Sequence, residues 1–505
     1  MRRFRPDATT LAAAGSGGLL ALAFPRPDLS LLAWVALVPL LLVMARRPFR
    51  SGFVAGTVFF AAILYWVNIV MTTFGHLHPV LSVLAWLLLS AYLALFFAVA
   101  TWAACRLKEL RGYAYPLTLP VLWVALEFLR EFLLTGFPWA TLGYSQHDNP
   151  ILLQSADLFG VYGLSYLLVL INTVIADWLL ARRLPRRHRP VVAMLFAMAL
   201  VGMAWGYGYW RLDGDLDSRP DRLKVTVVQG NIPQDVKWLP EFQQETVRIY
   251  RDLSLAAARS EKPGLLIWPE AATPFYYQDA NPLSAKVKGI PGEAGAALLF
   301  GSPAYRQEPG GVRYLNSVFL LDPQGREQGR SDKIHLVPFG EYVPLKRFLP
   351  FIDKIVVGIG DFSAGVINPL PLNGHRIGAL VCYEAIFPEL ARESVRQGSD
   401  LLVNVTNDAW FGNSSAPWQH LAMVRFRAVE NRVWIARAAN TGISAFIAPS
   451  GRIDAATGLF VPATTTVEVG LGARPALYAR TGDLVPMLFL AVSVVWLVQT
   501  RRRLG

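Results

Sequence analysis

The chain has 505 residues, of which 53% are hydrophobic and only 17% are charged, and its mean hydropathy is +0.36. A soluble enzyme of this length is expected to be less apolar, so the composition argues against a wholly soluble protein and indicates membrane spans. A net charge of +12 would suit a nucleic-acid-binding protein. Many of the basic residues flank apolar runs, however, and this disfavours nucleic acid as a partner.

Apolar runs that can cross a bilayer core of roughly 30 Å are concentrated near the two ends of the chain. We predict eight transmembrane helices, at residues 8–25, 28–45, 52–72, 80–105, 115–134, 160–181, 190–210 and 482–500. The first seven make up a predicted membrane domain over residues 1–212. The eighth is the weakest prediction, because its uninterrupted apolar core is short.

Clusters of Arg and Lys fall in every second connection between these predicted spans. They lie at residues 2–5, 46–50, 106–111, 182–189 and 501–503. Basic connections stay on the cytoplasmic side, so both termini are predicted to be cytoplasmic and the segment between spans seven and eight to face the periplasm or exterior. The first run also fits a cleaved signal peptide, but the charge alternation favours a first span.

Residues 220–475 have the composition of an ordinary soluble domain, in which short apolar strands alternate with helical stretches. The predicted strands are residues 223–228, 265–268, 297–301, 317–321, 377–381, 401–405, 434–438 and 444–448, and the predicted helices are 239–258 and 418–432. This alternation is typical of an α/β fold with buried sheets. About 260 residues suit a single domain.

Three chemically versatile side chains follow predicted strands in this domain. Glu270 follows the run 265–269, Lys333 follows a turn and a short polar strand, and Cys382 follows the strand 377–381. A thiol is a good nucleophile as thiolate, a nearby cation lowers its pKa, and a carboxylate can take its proton. The trio therefore suits acyl transfer. On spacing alone, solvated charges and a small buried cysteine would explain the same residues.

The chain has two cysteines, Cys105 and Cys382, and the predicted topology separates them by the membrane. A disulfide is therefore not expected, and Cys382 is predicted to be a free thiol in an oxidising compartment. The seven His residues form no zinc-binding motif, and no Gly-rich phosphate loop follows a predicted strand. Neither a metal nor a cofactor is predicted.

The sequence around the trio resembles the nitrilase superfamily of carbon–nitrogen hydrolases and acyltransferases. The matching segments are residues 268–271 (WPEA), 333–341 (KIHLVPFGE) and 382–384 (CYE). The resemblance implies an α-β-β-α sandwich over residues 220–475. It also implies that Glu270 is the general base, that Lys333 stabilises the tetrahedral intermediate and that Cys382 carries the acyl group.

A nitrilase-like domain placed between seven spans and an eighth is similar to the apolipoprotein N-acyltransferase family of bacterial inner membranes. Residues 136–139, 143–146, 228–234 and 407–412, together with Trp238, carry further similarity to that family. The resemblance implies transfer of the sn-1 acyl chain of a phospholipid to the α-amino group of the S-diacylglyceryl-cysteine of an apolipoprotein, during lipoprotein maturation. A Cys382 thioester and ping-pong kinetics are expected, with the catalytic domain in the periplasm.

Residues near the trio are expected to support it. Glu341 is expected to orient Lys333 or the incoming amine, and Tyr383 to offer its main-chain N–H to the oxyanion. Glu384 is expected to hold the turn after Cys382 through a buried salt bridge, or to have a purely structural role. The two aromatic residues Trp238 and Trp410 are candidates for lining an acyl channel, although core packing is the commoner role.

The segment 345–360 is strongly apolar yet interrupted by Pro and Gly. We expect it to form a membrane-dipping arm or lid, with Phe348 and Phe351 contacting lipid, because a dry site favours transfer over hydrolysis. A core loop is the alternative. Glu127 and Arg130, near the outer end of the fifth span, suggest function as charges within a membrane, but the sequence assigns them none.

Two other functions stay open on sequence grounds. A membrane-tethered amidase would use the same trio and release a free acid without any lipoprotein. A catalytically silent membrane scaffold would carry the trio as a relic, and the intact Glu270, Lys333 and Cys382 argue against it.

Overall fold

The computed structural model describes residues 7–183, 190–342 and 362–501. The chain divides into two units. The first comprises the described parts of Met1–Thr72, His78–Asp213 and Thr481–Gly505, and the second comprises Thr73–Leu77 and the described part of Gly214–Arg480. The predicted lid at 345–360, with Phe348 and Phe351, lies outside the described residues.

The first unit is helical. Its helices are α1 (Ala8–Leu22), α2 (Val38–Val43), α3 (Pro48–Ile63), α4 (Trp66–Ile69), α5 (Pro79–Arg111), α6 (Tyr115–Arg130), α7 (Pro150–Leu153), α8 (Ala156–Arg183), α9 (Val191–Asp213) and, at the end of the chain, α15 (Leu484–Arg501). The connections contain a π-helical turn at Val70–Phe74 and short 3₁₀ helices, at Ser30–Trp34, Met44–Arg46, Leu133–Thr135 and Leu142–Gln146.

Each predicted span coincides with helical residues, but the helices differ in length. Among the described residues, α5, α8 and α9 are individually long and apolar enough to cross a membrane, and α3 with the bent continuation Trp66–Phe74 makes a fourth candidate. The apolar helical segments Ala8–Leu22, Ser30–Arg46 and Leu484–Thr500 are shorter. Apolar helices fit a membrane protein, while the count of eight spans stays a prediction.

Glycine allows close helix packing within this unit. A Cβ on Gly17 of α1 would lie 2.2 Å from the carbonyl oxygen of Ala55 in α3, and one on Gly52 of α3 would lie 2.6 Å from that of Phe97 in α5. Small residues permit such close approach where helices pack in lipid. The three helices α1, α3 and α5 therefore pack backbone to backbone.

The two charges for which the sequence offered no role anchor the loop that follows α6. Glu127 Oε1 accepts hydrogen bonds from Leu142 N at 2.8 Å and Trp123 Nε1 at 3.1 Å. Arg130 Nη2 donates to Thr141 Oγ1 at 3.2 Å. A non-helical main chain at membrane depth needs partners within the protein, because lipid offers none. Glu127 supplies such a partner to Leu142 N, and Arg130 holds the side chain of Thr141.

The second unit contains two six-stranded sheets among its described residues, in the orders β12-β1-β2-β3-β4-β5 and β11-β10-β9-β8-β7-β6. The strands are β1 (Asp221–Gln229), β2 (Leu265–Ile267), β3 (Ala297–Glu308), β4 (Gly311–Leu321), β5 (Glu327–Asp332), β6 (Leu370–Leu372), β7 (His375–Val381), β8 (Leu401–Thr406), β9 (Ile435–Ala439), β10 (Ala445–Ile447), β11 (Ile453–Ala456) and β12 (Ala463–Leu471). The helices are α10 (Pro240–Glu261), α11 (Pro282–Ala294), α12 (Pro388–Arg396), α13 (Ala416–Asn431) and α14 (Leu477–Thr481).

Alternating side chains on the strands build four layers. Val225 of β1 and Val403 of β8 belong to one apolar cluster between the two sheets. Leu266 of β2 points the other way, into a cluster with Val247 of α10, whereas on the second sheet a separate cluster joins Leu402 to helices α12 and α13. This period-two alternation gives the α-β-β-α sandwich, so the predicted α/β class and layer order are confirmed.

The eight predicted apolar strands all occur, as does the short polar strand before Lys333, which is β5. The sequence reasoning missed β6, β11 and β12. Each of these strands lies at a sheet edge and has exposed positions, as in β12, where residues 463–468 are not buried. A strand that buries few side chains lacks the apolar run by which the others were recognised.

Candidate active site

Strand direction brings the trio together. β2 and β3 are parallel, and two antiparallel pairings, β3 with β4 and β4 with β5, make β5 run in the direction of β2. Glu270, three residues beyond β2, and Lys333, directly beyond β5, therefore lie at the same edge of the first sheet. Cys382 directly follows β7 of the facing sheet. All three side chains are buried.

Lys333 is held between two carboxylates. Its Nζ donates to Glu341 Oε1 at 2.9 Å and to Glu270 Oε1 at 3.4 Å. Asn316 Nδ2 donates to the same two oxygens, at 2.9 and 2.8 Å. Glu341 thus contacts Lys333, which was one of its two expected roles. Asn316, at the middle of β4, was missed by the sequence reasoning because an Asn within a strand carries no local signal.

Cys382 occupies a sharp turn from strand to helix. Its φ is +55°, and a 3₁₀ helix, Cys382–Ile386, begins at this residue. A left-handed conformation costs a non-glycine residue about 1–2 kcal/mol, so the surrounding contacts must hold it. The charge of Glu270 acts on the thiol, and Glu270 Oε2 accepts from the main-chain N–H of Asn407 at 3.0 Å.

The electrostatic environment of the site keeps Lys333 as an ammonium, Glu270 as a carboxylate and Cys382 as a neutral thiol. Burial opposes a charged Lys333, but Glu341 and Glu270 outweigh it and raise the pKa of the lysine. Burial likewise opposes a charged Glu270, yet Lys333 and the hydrogen bond from Asn316 hold the pKa of that carboxyl below its usual range. Burial, and then the charge of Glu270, raise the pKa of Cys382 to about 12 against the opposing effect of Lys333. Lys333 does lower the thiol pKa, as expected, but burial and Glu270 outweigh it, so the net shift is upward.

Glu384 joins two segments of the site. Its Oε1 accepts from the main-chain N–H groups of Ile334 and His335 at 2.5 and 3.0 Å, and its Oε2 accepts from Val381 N at 2.6 Å. The salt bridge expected at Glu384 is thus replaced, within the described residues, by three main-chain donors. Burial raises the pKa of Glu384 to about 7, and these three donors act in the opposite direction. The side chain links the residues after Lys333 to the strand before Cys382.

Lys237 is a second buried lysine beside the trio, and the sequence reasoning overlooked it. The side chain has no exposed surface, and its Nζ donates to the main-chain oxygen of Glu270 at 3.1 Å. Burial lowers the pKa of Lys237 to about 8, while the charges of Glu270 and Cys382 act in the opposite direction. The only available signal was its position directly before Trp238, a residue of family-like similarity. The Lys237 side chain thus holds the main chain of Glu270, the residue that carries the carboxylate.

The aromatic candidates have different environments. Trp238 and Trp410 are 46% and 38% exposed, so neither is a core residue, and the packing alternative is disfavoured. The ring of Tyr383 is buried and packs edge-on against Phe387 with a centroid distance of 5.2 Å. Trp238 and Trp410 are thus partly exposed, although the ring of Trp410 also packs edge-on against Phe74, while the side chain of Tyr383 supports the turn.

The geometry suits covalent chemistry at a carbonyl carbon. A thiol, a carboxylate that can take its proton and a fixed cation for the developing oxyanion lie within one buried site. Within the described ranges, no three or more His, Cys, Asp or Glu side chains form a group that could hold a metal ion. The sandwich and this site define a nitrilase-type domain.

Comparison with family models agrees with that class. Residues 224–474 match the family model described as carbon-nitrogen hydrolase, and residues 16–174 match the one described as apolipoprotein N-acyltransferase N-terminal domain. A solved amidase structure from Nesterenkonia sp. is 21% identical, covering 53% of this chain and 95% of its own, with a TM-score of 0.39.

Two curated relatives are similar along nearly their whole length, and both are named apolipoprotein N-acyltransferase. The protein of Geobacter metallireducens is 48% identical over 97% of this chain and 95% of its own length. The protein of Nitrosomonas europaea is 36% identical over 93% of each chain. The chain belongs to the apolipoprotein N-acyltransferase family, and the resemblance seen in the sequence is confirmed.

Proposed function

We propose that this protein N-acylates lipoproteins, transferring the sn-1 acyl chain of a phospholipid to the α-amino group of an S-diacylglyceryl-cysteine. The observation that carries the proposal is the buried group of Glu270, Lys333 and Cys382 at the carboxyl ends of strands, with Glu341 against Lys333. Family membership supplies the acceptor class, since the relatives are named apolipoprotein N-acyltransferase.

In the first half-reaction, Glu270 takes the proton of the Cys382 thiol as the sulfur attacks the ester carbon. A sulfur–carbon bond forms, the carbonyl electrons move to oxygen, and Lys333 stabilises that oxyanion. Collapse of the intermediate breaks the ester carbon–oxygen bond. The leaving oxygen receives the proton held by Glu270, so a lysophospholipid departs and a thioester remains.

In the second half-reaction, the α-amine attacks the thioester and Glu270 takes a proton from the nitrogen. Lys333 stabilises the second oxyanion as well. As the carbon–sulfur bond breaks, the proton held by Glu270 passes to the sulfur and restores the Cys382 thiol. The donor product leaves before the acceptor reacts, so the kinetics are ping-pong. Glu341 orients Lys333 in both halves, and no cofactor takes part.

The proposal includes a cellular arrangement. Eight spans anchor the chain in the bacterial inner membrane, with residues 1–212 and 482–500 forming the membrane domain. Residues 220–475 form the catalytic domain in the periplasm, and both termini are cytoplasmic. Support comes from the alternation of basic clusters and from the apolar helices. Trp238, Trp410, Phe348 and Phe351 are the proposed lipid contacts.

The test is intact-protein mass spectrometry of the detergent-purified chain after incubation with a phosphatidylethanolamine that carries two different acyl chains. We expect a gain equal to the sn-1 chain, retained in Cys105→Ser and absent from Cys382→Ala. A diacylglyceryl-cysteine peptide should discharge the adduct to an N-acylated product.

Three other outcomes would contradict parts of the proposal. A gain equal to the sn-2 chain rejects the donor position. Discharge to free acid without the peptide indicates a tethered hydrolase. The absence of any adduct contradicts the thioester mechanism and favours a catalytically silent scaffold.

A further inference from the structure

The peptide unit that follows the nucleophile is held by buried side chains. The carbonyl oxygen of Cys382 lies 3.2 Å from His420 Nε2 and 3.4 Å from Asn404 Nδ2. Both side chains have no exposed surface. That oxygen and the N–H of Tyr383 belong to one rigid planar peptide. Holding the oxygen therefore fixes the direction in which the N–H points.

His420 is itself held by an ion pair. Arg437 Nη2 donates to Asp408 Oδ2 at 2.6 Å and lies 3.2 Å from His420 Nδ1, which is also 3.2 Å from Asp408 Oδ1. All three side chains are buried. The close approach of Asp408 requires Gly442, where a Cβ would lie 2.3 Å from Asp408 Oδ2. The group is thus a packed network behind the nucleophile.

The partners of His420 define its tautomer. A carbonyl oxygen only accepts, so Nε2 carries the proton toward Cys382, whereas Nδ1 lies 3.2 Å from both the guanidinium of Arg437 and the carboxylate of Asp408. Asp408 Oδ1 accepts from Thr406 Oγ1 at 3.0 Å. Burial and the charge of Arg437 lower the pKa of His420, which agrees with a neutral ring.

We propose that His420, held by Asp408 and Arg437, positions the Cys382–Tyr383 peptide so that the N–H of Tyr383 stabilises the oxyanion beside Lys333. The inference rests on the proposed acyl transfer and assigns His420 as a positioning residue that does not contact the substrate. A hydrogen bond to the carbonyl also polarises the peptide and strengthens its N–H as a donor. Both half-reactions pass through an oxyanion, so both depend on this peptide.

The experiment uses two reactions of the same sulfur. Alkylation by iodoacetamide forms no oxyanion, whereas acylation by phosphatidylethanolamine does. In the full detergent-solubilised chain carrying Cys105→Ser, both rates are measured for the unaltered His420, for His420→Gln, which keeps an N–H donor of similar reach, and for His420→Met, which has no donor.

We expect His420→Met to acylate roughly 10²–10³-fold more slowly, the usual loss when an oxyanion donor is removed, with an unchanged rate and pH profile of alkylation. His420→Gln should retain most of the acylation. Equal acylation by the two variants overturns the proposal, because the donated hydrogen bond then has no effect. A parallel fall of alkylation also overturns it, because the network then only supports the fold.

The protein with unaltered His420 distinguishes a failure of the positioning role from a failure of acyl transfer itself. Alkylation of Cys382 without any acylation there rejects acyl transfer, and the positioning role with it. Cys382→Ala must abolish labelling in both reactions, which verifies that both report the same sulfur.

Discussion

The Cys382 thiol is protonated at rest, and this protonation state determines how the nucleophile must be activated. Burial and the neighbouring charge of Glu270 raise its pKa to about 12, although Lys333 acts in the opposite direction. Glu270, by contrast, is held as a carboxylate by Lys333 and Asn316 despite its burial. A neutral thiol next to a charged carboxylate needs proton transfer during attack. We therefore propose Glu270 as the base instead of a preformed thiolate.

This assignment predicts the pH dependence of Cys382 labelling in a Cys105→Ser background. With Glu270 present, iodoacetamide labelling should vary little between about pH 6 and 9, since the carboxyl titrates below this window and the thiol above it. In Glu270→Gln, the rate should rise about tenfold per pH unit with the thiolate fraction. Near pH 7 the variant should be slower by roughly 10²–10⁴-fold. A flat profile in the variant would show that Glu270 is not the base.

At the scale of elements, a glycine in one strand makes room for the loop that carries the base. A Cβ on Gly301 of β3 would lie 2.6 Å from Ala271 N, 2.7 Å from Glu270 Cα and 2.7 Å from Pro269 O. These are main-chain contacts of a loop, so no flexible side-chain end can yield. The register of β3 against β2 therefore places the general base as well as the sheet.

We expect Gly301→Ala to displace Glu270 while the sandwich still folds. A shift near 1 Å at a reacting group lowers the rate on the order of 10²-fold, measured as acyl-enzyme formation from phosphatidylethanolamine. The matched control is Gly310→Ala, at the turn between β3 and β4, where a Cβ would meet nothing within 4 Å. Equal rates for both variants, at equal thermal unfolding temperatures, would show that the loop accommodates the methyl group without consequence.

At the scale of the whole molecule, the alternation of basic clusters predicts which side of the membrane each connection occupies. The clusters recur at every second connection, and cytoplasmic connections carry the excess of Lys and Arg. The chain between α9 and α15 should then lie on the opposite side from both termini. A catalytic domain there would meet lipoproteins after their export.

The orientation can be measured with a membrane-impermeant maleimide on spheroplasts expressing a chain with Cys105→Ser and Cys382→Ala. Arg259→Cys, at an exposed position of α10, should react in intact spheroplasts. Arg46→Cys, exposed in the basic connection before α3, should react only after lysis. The reversed pattern would invert the proposed topology.

The sequence by itself determined the kinds of elements and the residues able to do chemistry. Apolar runs marked the helical segments and eight of the strands, and the segments around Glu270, Lys333 and Cys382 identified the family. These features are local, since hydrophobic period and short motifs are carried by neighbouring residues. Edge strands such as β12 were not predicted, because their exposed positions interrupt the apolar pattern.

Only the tertiary structure decided which groups meet and how they are charged. Asn316, Lys237 and His420 reach the trio from other strands, loops and helices, and strand order cannot be read from periodicity. The raised pKa of Cys382 also depends on burial and on through-space charge. Both quantities vary with distances between residues far apart in the chain, which exist only once the two sheets have packed.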